Sequence, residues 1–189
     1  MITTDEEAWE ACSPEDLWLF DKLIVSRMLG YQCGPAGVPV PQKASYIVRP
    51  VTNLSGMGRG AWVEHLEGST GHLPPGSFWC ELFEGRHLSI DYQRGTQCLA
   101  VEGFRNLGDP LYRFSHWVKT SDHIPLPTNL SSLKKFENLN IEFIGGKVIE
   151  IHLRQNPDFK YGNSVAIPVW EDMKFVSAPD YLRRGFLIA

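Results

Sequence analysis

Two glutamates near the end of the chain offer the clearest chemistry in the sequence. Glu142 and Glu150 fall in the stretch Asn140-Ile141-Glu142-Phe143-Ile144-Gly145-Gly146-Lys147-Val148-Ile149-Glu150-Ile151-His152-Leu153-Arg154. This reads as a hairpin of Asn140 to Ile144 and Lys147 to Leu153 around the glycine pair. Alternation of period two separates its faces. Ile149, Ile151 and Leu153 lie with Ile141 and Phe143, while Glu150, His152 and Arg154 lie with Asn140 and Glu142. A strict two-residue turn would pair Ile144 with Lys147 and set Glu142 against Ile149, mixing the faces. The pattern therefore predicts a three-residue loop that pairs Ile144 with Val148 and Glu142 with Glu150. Directly opposed residues have β-carbons ~4.5–5.5 Å apart, and two carboxylates at that distance repel unless a cation or a proton intervenes. Oxygen ligands suit magnesium, which takes one or two carboxylates together with phosphate oxygens and water; that would put a nucleotide nearby. The other reading of the same residues is a solvated sheet face on which the glutamates pair with Lys147 or Arg154.

A second group precedes the hairpin. Tyr46-Ile47-Val48-Arg49-Pro50 ends a buried-looking strand in an arginine, a side chain suited to phosphate oxygens. It is followed by Asn53-Leu54-Ser55-Gly56-Met57-Gly58-Arg59-Gly60, where small residues leave backbone N–H groups open to an anion. Taken alone, such a loop is also a common surface feature.

These residues need elements to hold them. Ser13-Pro14-Glu15-Asp16 is a helix start, with a serine cap, proline at the first helical position and acids in the first turn. The spacing of Leu17, Phe20, Ile24 and Met28 predicts one helix to about Leu29 with Gly30 as its left-handed cap, leaving Lys22 free to point at a ligand. Gly34 to Pro41, with three prolines and two glycines in eight residues, reads as a connector. Ser45 to Val48 and Ala61 to Val63 read as strands flanking the glycine loop. Phe78 to Phe83, His87 to Gln93 and Thr96 to Val101 read as consecutive antiparallel strands turned at Glu84-Gly85 and Arg94-Gly95, with a fourth at Tyr112 to Val118. Leu130 to Phe136 reads as a short helix, and the chain after Asn156 as irregular.

The composition bounds the class. The 189 residues, 43% of them apolar and 12% aromatic, suffice for one core. A net charge of -4 gives no basic footprint, so nucleic acid is not the expected partner. Cys12, Cys33, Cys80 and Cys98 form no CxxC pair and read as free thiols in a reducing compartment. No apolar run reaches the ~20 residues a membrane span needs, and the acidic start is unlike a signal peptide. The expectation is a cytoplasmic protein with no membrane association.

Taken in order, these blocks resemble the ATP-grasp superfamily, with the closest likeness to the ATP-grasp domains of carbamoyl-phosphate synthetases. Phe20-Asp21-Lys22 resembles the opening motif, and Ile47-Val48-Arg49-Pro50 with Gly56 to Gly60 resembles the second basic residue and its glycine lid. Cys80-Glu81-Leu82-Phe83-Glu84-Gly85-Arg86-His87 resembles the adenine hinge, and the Glu142 and Glu150 strands resemble the metal-binding end. The likeness spans about Phe20 to Asn156. It implies an α+β fold of two small antiparallel-sheet subdomains with helices and a nucleotide cleft between them. The whole chain would be one such domain, with about 40–90 carrying the glycine loop and hinge and about 91–160 the metal site.

The resemblance also implies ATP and magnesium or manganese as cofactors. Lys22 and Arg49 would hold phosphates under a lid of Asn53, Ser55, Gly56, Gly58 and Gly60. The Glu81 carbonyl and Phe83 N–H would read adenine, His87 would approach the ribose, and Glu142, Glu150 and His152 would bind metal. The implied activity is that of an ADP-forming carboxylate-amine ligase acting on small-molecule acid and amine substrates, with Arg154 and Arg49 as catalytic residues. A non-catalytic nucleotide-binding or scaffold module is the alternative. The sequence departs from the family in His152, where asparagine is usual, in His87, where an acid is usual, and in a short Lys22 to Arg49 segment. The domain that normally leads the module is expected to be missing, which would make a homodimer or a partner subunit its replacement.

Overall fold

The structure, a computed structural model, describes residues 2, 4–52, 60–159 and 161–170, together with the backbone of 183–188. Its strands form two antiparallel sheets. The first comprises β1 (Cys33–Pro35), β2 (Ala44–Pro50), β3 (Trp62–Leu66) and β4 (Ser77–Glu81) in the order β1-β4-β2-β3. The second comprises β5 (His87–Gln93), β6 (Thr96–Phe104), β7 (His116–Lys119), β8 (Asn138–Ile144), β9 (Lys147–His152), β10 (Val165–Trp170) and β11 (Arg183–Ile188) in the order β11-β10-β7-β6-β5-β8-β9. Together with few helices this is the expected α+β architecture.

Side-chain alternation decides which face of each sheet is core. On β5 and β8, Leu88, Ile90, Tyr92, Leu139, Ile141 and Phe143 pack against Ala8, Leu19, Phe20 and Val25 of the N-terminal helices. The intervening residues His87, Ser89, Asn140 and Glu142 line a cleft. On β2, Tyr46 and Val48 join the core of the small sheet, while Ile47 and Arg49 line the same cleft. The period-two rule of strands thus sends one residue in two to the cleft from both sides.

Several expected elements differ. The predicted helix from Ser13 to Leu29 is two pieces, a 3-10 helix Pro14–Phe20 and an α-helix Lys22–Met28 (α2). Asp21 is the reason. Its backbone is extended (φ -94, ψ 99), and its side chain accepts from the Ile24 N–H at 2.8 Å, so it caps a new helix instead of continuing the old one. The restart changes the buried face: Lys22, Val25 and Ser26 turn inward, while Ile24 and Met28 are 40% and 57% exposed. An α-helix Asp5–Ala11 (α1) precedes both pieces, closed by a Thr4–Glu7 capping box.

Part of the Gly34 to Pro41 connector is strand β1, which pairs with β4. Glu84-Gly85 is not a hairpin turn; it lies where the chain crosses between sheets, and the β8–β9 turn packs on it. A Cβ on Gly145 would collide with the Glu84 carbonyl oxygen, and the Gly145 N–H donates to the Arg86 carbonyl at 3.1 Å. The predicted helix over Leu130 to Phe136 is a 3-10 segment, Thr128–Lys135. The strand expected from Tyr112 begins only at His116, and the region after Asn156 contains two strands of the large sheet. Among the described residues no helix is long and apolar enough to cross a membrane.

Candidate active site

The hairpin that holds the two acids solves the face problem differently from the expectation. Ile144 does pair with Lys147 across a two-residue turn, yet Glu142 still pairs with Glu150, because a bulge between Glu142 and Phe143 absorbs one residue of β9. The extra residue, Ile149, leaves the core-facing set, which becomes Val148, Ile151 and Leu153. Ile149 lines the cleft instead. Its carbonyl accepts from Arg49 Nη1 at 2.9 Å, joining the large sheet to the small one.

The cleft between the sheets has a volume of about 240 Å³, and Lys22, Arg49, Glu142 and Glu150 all line it. Lys22 arrives from α2, whose first N–H donates to the Val51 carbonyl at 2.9 Å. Its Nζ lies 2.9 Å from Glu150 Oε1, with both side chains buried. Glu142 accepts from His87 Nε2 at 3.0 Å. Burial raises the Glu142 carboxyl, but the neighbouring His152 and His87 rings bring it well below its ordinary 4.5. Neither glutamate forms an ion pair with Lys147 or Arg154 among the described residues, as the solvated-face reading supposed; Glu150 pairs with Lys22, and Glu142 accepts from His87.

His152 and Arg154 are organised by a residue the sequence reading missed. Asp5, buried on α1, accepts from Arg154 Nε at 2.9 Å and Nη2 at 3.0 Å and bonds His152 Nδ1 at 2.9 Å. Arg154 also donates to the Gln155 carbonyl at 3.3 Å, so its fork is largely committed within the protein. His152 Nε2 then lies 3.7 Å from Glu142 Oε1 and 3.9 Å from Glu150 Oε1, beyond hydrogen-bond reach. Burial lowers His152, but Asp5 and Glu142 outweigh it and lift the ring to about 9 from 6.5. Burial likewise raises Asp5, but His152 and Arg154 bring it to about 2 from 3.8.

The linkage is two-sided. The raised histidine contributes fully below pH 6.5 and loses its contribution as pH rises through about 9. The depressed aspartate contributes above pH 3.8 and loses its contribution as pH falls through about 2. Thermal midpoints measured across pH should be highest from about pH 4 to 6.5, with an alkaline decline that is shallower in His152→Gln.

The three residues expected to bind metal do not assemble as one ligand set. Among the described residues no group of three or more His, Cys, Asp or Glu is arranged to hold an ion. His152 Nε2 stands 3.7 Å from Glu142 Oε1 and 3.9 Å from Glu150 Oε1, with its Nδ1 committed to Asp5. Two opposed carboxylates remain, which fits a magnesium ion completed by phosphate and water. Two donors fit an anion: Arg49 Nε and His152 Nε2 are buried with no hydrogen-bond partner among the described residues, and His87 Nδ1 is buried beside them without one.

Of the other expected contacts, Phe83 lines the cleft and stands edge-on to Tyr31 at 4.7 Å. Glu81 is not among the lining residues; its N–H donates to the Gln32 carbonyl at 2.9 Å and its side chain accepts from the Gln32 N–H at 3.1 Å. Asn53, Ser55, Gly56 and Gly58 lie outside the described residues. Gly60 is described, with φ +73 and a Cβ position 3.2 Å from the Pro50 ring.

The far wall of the cleft was also missed. Phe114, Trp117, Tyr112 and Trp170 line it, held close to β6 by the missing side chain of Gly103. A Cβ there would meet Phe114 Cε1 at 2.7 Å and Trp117 Cη2 at 2.8 Å. Gly103→Ala should therefore destabilise the protein by about 1–3 kcal/mol in urea unfolding, because two packed rings must move.

No family model matches the sequence, and no curated protein matches it. Solved structures do match its fold. A protein assigned to the ATP-grasp superfamily from Archaeoglobus fulgidus is similar at 16% identity and TM-score 0.52, covering 90% of this chain and 64% of that one. L-amino acid ligase from Bacillus licheniformis (11% identity, TM-score 0.49, 72% of this chain and 41% of that one) is also similar. So is N5-carboxyaminoimidazole synthetase from Staphylococcus aureus complexed with ADP (12% identity, TM-score 0.45, 77% and 48%). The likeness to the first of these is one of fold, and the chain spans 64% of that structure's length.

Proposed function

We propose that the chain is an ATP-dependent ligase that activates a carboxylate as an acylphosphate for attack by an amine. The observation that carries this is the convergence of Lys22, Arg49, Glu142 and Glu150, from a helix and both sheets, on one open cleft. The ATP-grasp fold supports it, and motif order alone supports the closer likeness to carbamoyl-phosphate synthetase domains.

In this reading Lys22 and Arg49 bind the phosphates, with the unpartnered Nε2 of His152 beside them. Phe83 marks the adenine end of the cleft and Gly60 the base of the lid. Glu142 and Glu150 would hold magnesium or manganese, which when bound neutralises triphosphate charge. The acceptor carboxylate oxygen bonds the γ-phosphorus as the bond to the bridging oxygen of ADP breaks. The amine nitrogen then attacks the acyl carbon and gives up a proton as inorganic phosphate leaves. The protein contributes position and fixed charge. The single-domain division into a loop-and-hinge part and a metal-binding part, a cytoplasmic location, and a homodimer or partner subunit belong to the same proposal.

Calorimetric titration of ATP with and without magnesium, run beside ADP release in an acid and amine screen, tests it. Magnesium-dependent binding with turnover is expected. Binding without turnover in any acceptor pair would instead favour a nucleotide-binding module, and absence of binding would end the nucleotide assignment.

A further inference from the structure

We infer that the acceptor of this cleft is a carboxylic acid bearing an aromatic or large apolar side chain, seated on the wall of Leu111, Tyr112, Phe114, Trp117 and Trp170 with Arg105 as its carboxylate anchor. This rests on the ligase reading above. All six residues line the same cleft as Glu142 and Glu150. The wall is a built surface: Trp170 Nε1 donates to the Phe114 carbonyl at 3.0 Å, Tyr112 stands edge-on to Trp170 at 6.0 Å, and Phe114 lies 4.3 Å from Trp117. It begins beside the acids, because His87 bonds Glu142 at 3.0 Å while its ring is edge-on to Phe114 at 5.0 Å and Trp117 at 5.4 Å.

Arg105 supplies what Arg154 does not. Arg154 is bidentate on Asp5, whereas among the described residues Arg105 has one hydrogen bond, Nη1 to the Leu111 carbonyl at 3.1 Å, and lies 5.5 Å over the Phe114 ring. No carboxylate among the described residues pairs with it. Its fork keeps donors for the two oxygens of an incoming carboxylate, and Leu111, Tyr112 and Trp117 give the cleft an apolar lining for an aromatic side chain.

The test uses the whole chain, the nonhydrolysable analogue AMP-PNP with magnesium, and three probes: 3-phenylpropanoate, propanoate and 3-phenylpropanol. With AMP-PNP bound, 3-phenylpropanoate should bind at least about tenfold more tightly than either of the others. Arg105→Ala should remove at least tenfold of that affinity while AMP-PNP affinity stays within twofold. Equal affinity for the three probes, or an unchanged Arg105→Ala, overturns the inference. AMP-PNP binding with no 3-phenylpropanoate binding sinks the acceptor assignment and leaves the nucleotide reading standing. Arg105-dependent 3-phenylpropanoate binding without AMP-PNP binding does the reverse.

Discussion

Asp5→Asn should lose about 3–5 kcal/mol of stability in urea unfolding, with a fall in thermal midpoint of roughly 6–20 °C. The carboxylate is buried between His152 and Arg154, bonding the first at 2.9 Å and the second at 2.9 and 3.0 Å. Asparagine keeps the shape and one acceptor but takes from the Arg154 guanidinium the carboxylate that both of its donors bond. His152 can respond by releasing its proton; Arg154 cannot. The alkaline decline in stability assigned to His152 should shrink in the same variant, since its chief hydrogen-bond partner has lost its charge. A change below 1 kcal/mol would show that the N-terminal helix merely rests on the sheet.

The second large effect is expected at Glu150. Glu150→Gln should reduce the magnesium-dependent gain in ATP affinity at least about tenfold, equivalent to ~1.4 kcal/mol, as read by calorimetry with and without the metal. Glutamine keeps an oxygen near Lys22 Nζ, now 2.9 Å from the carboxylate, but supplies no charge to a divalent ion. Folding should be checked in parallel by the thermal midpoint, because Lys22 is buried and loses its ion-pair partner. Unchanged ATP affinity with unchanged metal dependence would refute the ligase reading and favour a protein that keeps the sheets for structural purposes.

What the sequence could tell depended on whether the signal was local. The Glu142 and Glu150 pairing was legible because alternation along two adjacent strands is a short-range pattern, and it survived an error about the turn. The hydrophobic pattern fixed which residues face each other without revealing that a bulge at Ile149 does the work of a longer loop. Lys22 and Arg49 were legible as cations near the motif order, but the face of α2 was not. Asp21 competes for the backbone, and spacing counted through it gives the wrong phase. Asp5 carried a partial signal in Thr4 and Glu7, which together make a capping box and could have announced α1. Nothing local could have paired it with residues 147 and 149 positions away. The aromatic wall was hidden for the same reason. Trp170 joins Phe114 and Trp117 only through sheet order, with β10 beside β7, and a lone tryptophan in a weakly patterned stretch says little.

The reach of the Asp5 contact has a consequence for how the protein comes into being. A clasp that joins position 5 to position 154 closes only after the intervening strands have been synthesised, and contacts so distant in sequence form slowly. During translation α1 would wait without its partner while the early strands Cys33–Glu81 pair among themselves, and His152 would emerge as an ordinary histidine before Asp5 charges it. The ordering of His152 and Arg154 would thus follow, and not guide, the pairing of the early strands.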